Sequence, residues 1–181
     1  MRVLAISGSL RAASANTALL QAAAALAPAG VRVEFYDGIG ALPHFNPDAD
    51  VEPALPAVAR WREALRNADA VLLSSPEYVH GVPGSLKNAL DWIVSSGEFS
   101  GKPLALINTS RSSFAEPQLR EILTTMEARI VPEASITLQL WSNRVSASEI
   151  AANAGAAEAL RGAVAALVAS AREAAGAGAG N

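Results

Sequence analysis

Three contiguous apolar runs, Val3-Leu4-Ala5-Ile6, Ala70-Val71-Leu72-Leu73 and Leu104-Ala105-Leu106-Ile107, constrain this chain more than any other feature. None alternates apolar with polar, so each reads as a strand covered on both faces, which happens when crossover helices lie on both sides of a parallel sheet. Helix-like stretches separate them, at 16–26, at 57–66, from Pro83 to near Gly97 and at 117–128, with a last alanine-rich helix over 154–172. Pro83 stands where a missing N–H is tolerated at a helix start. Val31-Arg32-Val33-Glu34-Phe35 does alternate and fits a half-covered strand near an edge, and residues 136–140 supply a fifth strand. The order predicts a flavodoxin-like α/β fold: a doubly wound five-stranded parallel sheet, order 2-1-3-4-5, with helices on both faces. A single domain over residues 1–173 is expected, with 174–181 as a disordered Gly/Ala tail. Residues 37–56, with four prolines and two glycines, are expected to form a long surface loop, functional or mobile.

Composition removes several classes of function. The chain has no cysteine, which excludes thiol catalysis and a cysteine-ligated metal site, and its two histidines, His44 and His80, speak against a histidine-built one. Fourteen basic residues are scattered through a chain of net charge -3, so no basic footprint for nucleic acid exists. Forty of the 181 residues are alanine, so the 51% hydrophobic content reflects helix formers rather than a membrane protein. The opening apolar run is too short for a signal peptide and the alanine stretch after residue 18 too short for a bilayer span. A cytoplasmic protein without membrane attachment is expected.

In the predicted strand order the first and third strands are neighbours, and ligands bind in the crevice at their carboxyl ends. The loop after strand one, Gly8-Ser9-Leu10-Arg11-Ala12-Ala13-Ser14-Ala15-Asn16, runs directly into a helix. Ser9, Ser14 and Asn16 offer side-chain donors, Arg11 a planar charged fork, and the helix start its unpaired N–H groups, a donor set suited to a phosphate dianion. A serine that merely caps the helix would account for one of these residues and not for four donors in eight positions. No G-x-x-x-x-G-K-[ST] or G-x-G-x-x-G follows any strand, so neither a nucleoside triphosphatase nor a dinucleotide fold is indicated. After strand three, Pro76, Glu77 and Tyr78 begin a loop fixed by two prolines and two glycines, whose backbone can meet the polar edge of a flat heterocycle while Tyr78 lies along its face.

Together, Gly8-Ser9-Leu10-Arg11-x-x-Ser14-x-Asn16 and Ser75-Pro76-Glu77-Tyr78-x-His80-Gly81-x-Pro83-Gly84-x-Leu86-Lys87-Asn88-Ala89-x-Asp91-Trp92 resemble the NADPH-dependent FMN reductase family, which includes quinone, chromate and azo-dye reductases. The similarity runs over nearly the whole chain. It implies that Ser9, Arg11, Ser14 and Asn16 hold the phosphate of FMN, and that Pro76, Glu77, Tyr78 and the backbone of Val79 border its isoalloxazine ring. Ser110, with Thr109, would donate to the ring's pyrimidine edge. The resemblance also implies a ping-pong cycle: NADPH (or NADH) passes a hydride to FMN, and a small-molecule acceptor such as a quinone, chromate, azo compound or flavin is then reduced by two electrons. The cofactor carries that chemistry, so no catalytic side chain is required. By the same resemblance the helix at 86–92 is similar to the family's dimer-contact helix and implies a homodimer or homotetramer, while Lys87, Asp91 and Trp92 are read as surface and packing residues. The alternative is a non-enzymatic FMN-binding electron carrier or redox-responsive partner protein.

Two departures from the family pattern stand out: Val79 occupies a position where relatives often have asparagine, and the loop 108–114 lacks the glycines that bring backbone close to a flavin. His80, His44 and Arg111 sit in loops that can overhang a flavin, with solvated loop positions as the simpler reading.

Overall fold

The computed structural model describes residues 1–109 and 113–178. Strand β1 (Arg2–Ser7) lies at the centre, between β2 (Arg32–Tyr36) and β3 (Ala70–Ser74), and β3 pairs with β4 (Pro103–Thr109), all parallel. The register sets Val3 against Val33 on one side and Ala70 on the other, and Ser7 against Ser74. The sheet order β2-β1-β3-β4-β5 is the one expected. Side chains of each strand divide by period two between the sheet faces. Val3, Ala5, Leu72, Ala105 and Ile107 join one core with α1 (Ala15–Ala25) and the long α6 (Ala154–Gly178). Leu4, Ile6, Val71, Leu73, Leu104 and Leu106 join the other, with α2 (Pro56–Arg66), α3 (Gly84–Asp91) and α4 (Ala115–Thr125). The first core is rich in alanine (Ala18, Ala22, Ala23, Ala156, Ala171), while the second holds the buried rings Trp61, Trp92 and Phe99.

The fifth strand is split where the sequence reads as one. A two-residue β5 (Arg129–Ile130) pairs with Pro103 and Leu104, and β6 (Ile136–Leu138) pairs with Ile107, Asn108 and Thr109. Between them Pro132 opens a 3-10 turn to Ala134, because proline has no N–H to give the ladder. The gap is bridged by a side chain: Leu106 N–H donates to Ser135 Oγ at 3.1 Å, and Ser135 Oγ donates to the Val131 carbonyl at 2.9 Å. A short helix α5 (Ala147–Ala152), absent from the sequence reading, starts on a capping box in which Ser146 and Glu149 satisfy each other's backbone N–H. Helix α6 continues past residue 172 to Gly178, so residues 174–178 of the expected tail are helical, and 179–181 lie outside the described residues. By length and composition α6 could cross a membrane. Its Leu160, Val164, Leu167 and Val168 are instead buried against the sheet, as in a core helix.

The 37–56 segment is tied down at two places. Trp92 Nε1 and Asn88 Nδ2 both donate to the Pro43 carbonyl, at 2.8 and 2.9 Å, and Phe45 N–H donates to Asn88 Oδ1 at 2.7 Å. Further along, Arg62 Nη2 meets Asp50 Oδ1 at 2.6 Å, and Ser95 Oγ donates to the other Asp50 oxygen. Arg62 is almost fully buried and also donates from Nε and Nη2 to the Trp92 carbonyl. The bonds tighten to i→i+3 at Leu90 and Asp91, so α3 ends at Asp91 instead of continuing to Gly97 as the sequence suggests, and Arg62 satisfies the carbonyl of Trp92 just past that end. Asn88 and Trp92 thus act as loop anchors, in line with the packing role read for Trp92. Replacing Asp50 by alanine leaves the Arg62 charge buried without its partner. We expect Asp50→Ala to lose about 3 kcal/mol of stability in urea unfolding, with the urea dependence of the unfolding free energy unchanged.

Candidate functional site

The carboxyl ends of β1 and β3 meet at Gly8. Its N–H donates to the Ser74 carbonyl at 2.8 Å, so the two loops that follow leave from one point. A side chain at Gly8 would have no room: its Cβ would fall 2.9 Å from Leu86 Cδ2 and 3.3 Å from Ser75 Oγ. The need for glycine here is close approach of two loops, a stricter demand than the sharp turn inferred from sequence.

On one side of this junction, Ser14 caps α1 by accepting from Thr17 N–H, and Ser7 Oγ bonds Thr17 Oγ1 at 2.8 Å. Asn16 is buried and its Oδ1 accepts from Ser74 Oγ at 3.0 Å, which binds the helix start to β3. Half of that amide is therefore structural, and its nitrogen is the part left to serve a ligand. Ser9 Oγ accepts the Arg11 N–H at 3.3 Å and keeps its own hydrogen to donate. Arg11 is exposed.

The facing wall is held from a distance. Glu77 Oε2 accepts from the N–H groups of Phe114 and Ala115, at 2.7 and 3.0 Å, and so caps α4 from another loop. Those bonds, with Ala115 first, and the charge of His80 hold the Glu77 carboxyl below its ordinary range. Tyr78 and Gly81 exchange both backbone bonds around a tight turn whose central residues, Val79 and His80, have φ of 50° and 56°. Such a mirror-image turn favours Asn-Gly and is strained for a β-branched residue. The Val79 side chain stands fully in solvent. The His80 ring stacks on Phe114 with centroids 4.1 Å apart, and Gln118 Nε2 donates to the His80 carbonyl.

The structure brings Ser9, Arg11, Ser14, Asn16, Pro76, Glu77 and Tyr78 together along one open crevice. Val79 does not line it, and Ser110 lies outside the described residues, as does Arg111. Thr109 completes the lining at the end of β4, together with Ala15 and Asn143. Asn143 was not foreseen; it arrives from the segment after β6, and only that segment's place at the carboxyl edge of the sheet could have marked it. His44 belongs to the anchored 37–56 segment and is not part of the lining.

Two consequences can be measured. Because Val79 buries nothing and strains its turn, Val79→Asn is expected to raise stability by about 1 kcal/mol, read from thermal or urea unfolding. Because the folded state lowers the Glu77 pKa, its contribution is complete above the ordinary glutamate value of about 4.3 and disappears as pH falls through the lower folded value. Glu77→Gln should therefore lower Tm at neutral pH and converge with the parent protein in acid, a pattern that a pH series of melting curves reveals.

A family model described as NADPH-dependent FMN reductase matches residues 1–143. The chain is 39% identical over 153 residues to an NAD(P)H-dependent FMN reductase of Pseudomonas aeruginosa, covering 81% of this chain and 82% of that one. It is 32% identical to a quinone reductase of Escherichia coli K12, covering 80% and 81%. Among solved structures, FerB, a flavoenzyme NAD(P)H:(acceptor) oxidoreductase from Paracoccus denitrificans, superposes with a TM-score of 0.83 at 28% identity, covering 95% of this chain and 97% of the other.

Proposed function

The chain belongs to the NADPH-dependent FMN reductase family and is an NAD(P)H-dependent flavoenzyme, and from that premise we propose that its crevice seats FMN and serves a two-electron reduction of a small acceptor, most directly a quinone. The observation that carries this reading is the convergence of Ser9, Arg11, Ser14 and Asn16 with the Pro76–Tyr78 edge in one crevice. The donor set fits the cofactor. Its phosphate half holds hydroxyls, an amide, a guanidinium and a helix start, with no carboxylate. The carboxylate that does line the crevice, Glu77, has one oxygen committed to the amides of α4.

In this reading Ser9, Arg11, Ser14 and the Asn16 amide nitrogen hold the phosphate. Pro76, Glu77 and Tyr78 border the flavin ring, Thr109 and Ser110 donate at its pyrimidine edge, and Val79 can contribute through its backbone alone. FMN, when bound, supplies the hydride chemistry in a ping-pong cycle, accepting from NAD(P)H and delivering to the acceptor. The chain fixes the ring's position and leaves one face open. Tyr78 and Phe114 are both about half exposed beside it, a rim suited to planar acceptors. The names of the relatives favour an enzyme over the electron carrier weighed from sequence. We further propose a cytoplasmic location and a homodimer or homotetramer, the oligomer supported by a groove between α3 and α4 in which Leu90, Val94, Ile122 and Met126 are flanked by Lys87, Asp91 and Glu121.

Initial rates with NADPH and benzoquinone varied together test the reading. Double-reciprocal lines should be parallel, and anaerobic NADPH alone should bleach the bound flavin until quinone is added. Intersecting lines would remove the ping-pong scheme, and flavin that NADPH leaves oxidised would remove the reductase reading.

A further inference from the structure

Beside the crevice runs a second groove, of about 380 Å³, lined among others by Arg11, Ser14, Thr17, Gln21, Asn143 and Arg144. It shares Arg11, Ser14 and Asn143 with the crevice, so the two are continuous around the start of α1. Two guanidinium groups line it and no carboxylate does, in a chain whose net charge is -3. Among the described residues neither Arg11 nor Arg144 has an ion-pair partner, a state they share with Arg60, Arg161 and Arg172, but only Arg11 and Arg144 of these five line the groove. The acid nearest Arg144 in sequence, Glu149, does not line the groove, and its Oε2 is committed to the N–H and hydroxyl of Ser146, at 2.8 and 2.6 Å.

The Arg144 backbone is placed rather than loose. Its N–H donates to Ser142 Oγ at 3.1 Å, Val145 next to it is buried in the core, and the capping box of α5 follows at once. Arg11 is presented similarly, its N–H held by Ser9 Oγ. Two like charges lining one groove repel each other less once an anion lies between them, and a guanidinium fork matches phosphate oxygens in pairs.

We propose that Arg144, with Arg11, forms a two-arginine site for a phosphate monoester at the outer end of the crevice. The inference rests on the FMN reading for its ligand. Two sources of that group are at hand, the terminal phosphate of FMN and the 2′-phosphate of NADPH. The sharing of Ser14 and Asn143 with the crevice favours the FMN phosphate. In this role Arg144 is a binding residue contributed by the segment after β6, outside the Gly8–Asn16 loop that carries the sequence motif.

The test compares the parent protein with Arg144→Gln and Arg144→Lys, using flavin fluorescence quenching to titrate FMN and riboflavin, which differ only in the phosphate. Loss of one charge-assisted contact predicts a rise of about tenfold in the Kd for FMN in Arg144→Gln, no change for riboflavin, and partial recovery in Arg144→Lys. If FMN and riboflavin both bind as before while the KM for NADPH rises about tenfold and that for NADH does not, the phosphate monoester site stands and its source is the dinucleotide. A separate measurement, thermal protection by inorganic phosphate, distinguishes failure of this proposal from failure of the FMN reading. A parent protein that ignores FMN but gains phosphate protection, lost in Arg144→Gln, keeps the arginine site and removes the flavin reading. Unchanged FMN affinity, unchanged NADPH discrimination and unchanged phosphate protection in Arg144→Gln overturn the proposal.

Discussion

The hydrogen bond from Gly8 N–H to the Ser74 carbonyl joins the ends of two neighbouring parallel strands at 2.8 Å, and the rest of the site depends on that closeness. Parallel strands side by side send their carboxyl ends to one edge, but their helices leave to opposite faces, which opens a crevice between the loops. Here Ser74 also donates its hydroxyl to Asn16, so the start of α1 is locked to β3 as well as to β1. The space a side chain at position 8 would need is already taken by Leu86 and Ser75. Donors from residues 9–16 and the edge at 76–78 therefore face each other at a spacing set by the sheet and not by flexible loops. That arrangement is preorganisation of the backbone and of the Ser14 and Asn16 side chains, so a ligand bound there would order less of the chain.

The second wall is less regular, and its conformation is imposed from outside. A β-branched residue at φ of 50° is disfavoured by its own backbone sterics. The turn that holds it closes through Tyr78 and Gly81, while Glu77 fastens its approach to α4 and Gln118 fastens its far side. The strain lies beside the open face, where backbone strain in proteins concentrates. Because Glu77 spends an oxygen on the α4 amides, its part in the crevice is to hold the loop as much as to meet a ligand. The anchored 37–56 segment does the same for the outer layer, with Asn88, Trp92 and Arg62 fixing a stretch of chain whose composition alone reads as loose.

What was legible in the sequence was whatever is encoded locally. Contiguous apolar runs marked the central strands, and alternation in residues 31–35 marked the edge strand. Four donors in eight positions marked the loop after β1, and all four reach the crevice. The missed features depend on partners far apart in the chain. Glu77 caps a helix that begins 38 residues later, Arg62 takes the Trp92 carbonyl where α3 ends early, and Ser135 stands in for a backbone group opposite Leu106 where Pro132 divides the fifth strand. Asn143, which lines the crevice, and Arg144, which lines the groove beside it, carry no motif and are brought there only through the placement of β6 at the sheet edge. The Ser146-Glu149 capping box is the exception, a local signal that the helical reading passed over.

The central claim is that FMN sits at the junction of β1 and β3, and an amide-resolved NMR titration of the purified protein with FMN tests it most directly. The account predicts that shifts concentrate on the amides of residues 9–16, on Glu77 and Tyr78, and on Thr109 at the end of β4, with riboflavin reproducing the second and third groups and sparing much of the first. Shifts confined to another surface, such as the groove between Arg129 and Glu173 at the opposite end of the sheet, or no shifts at all, would contradict it.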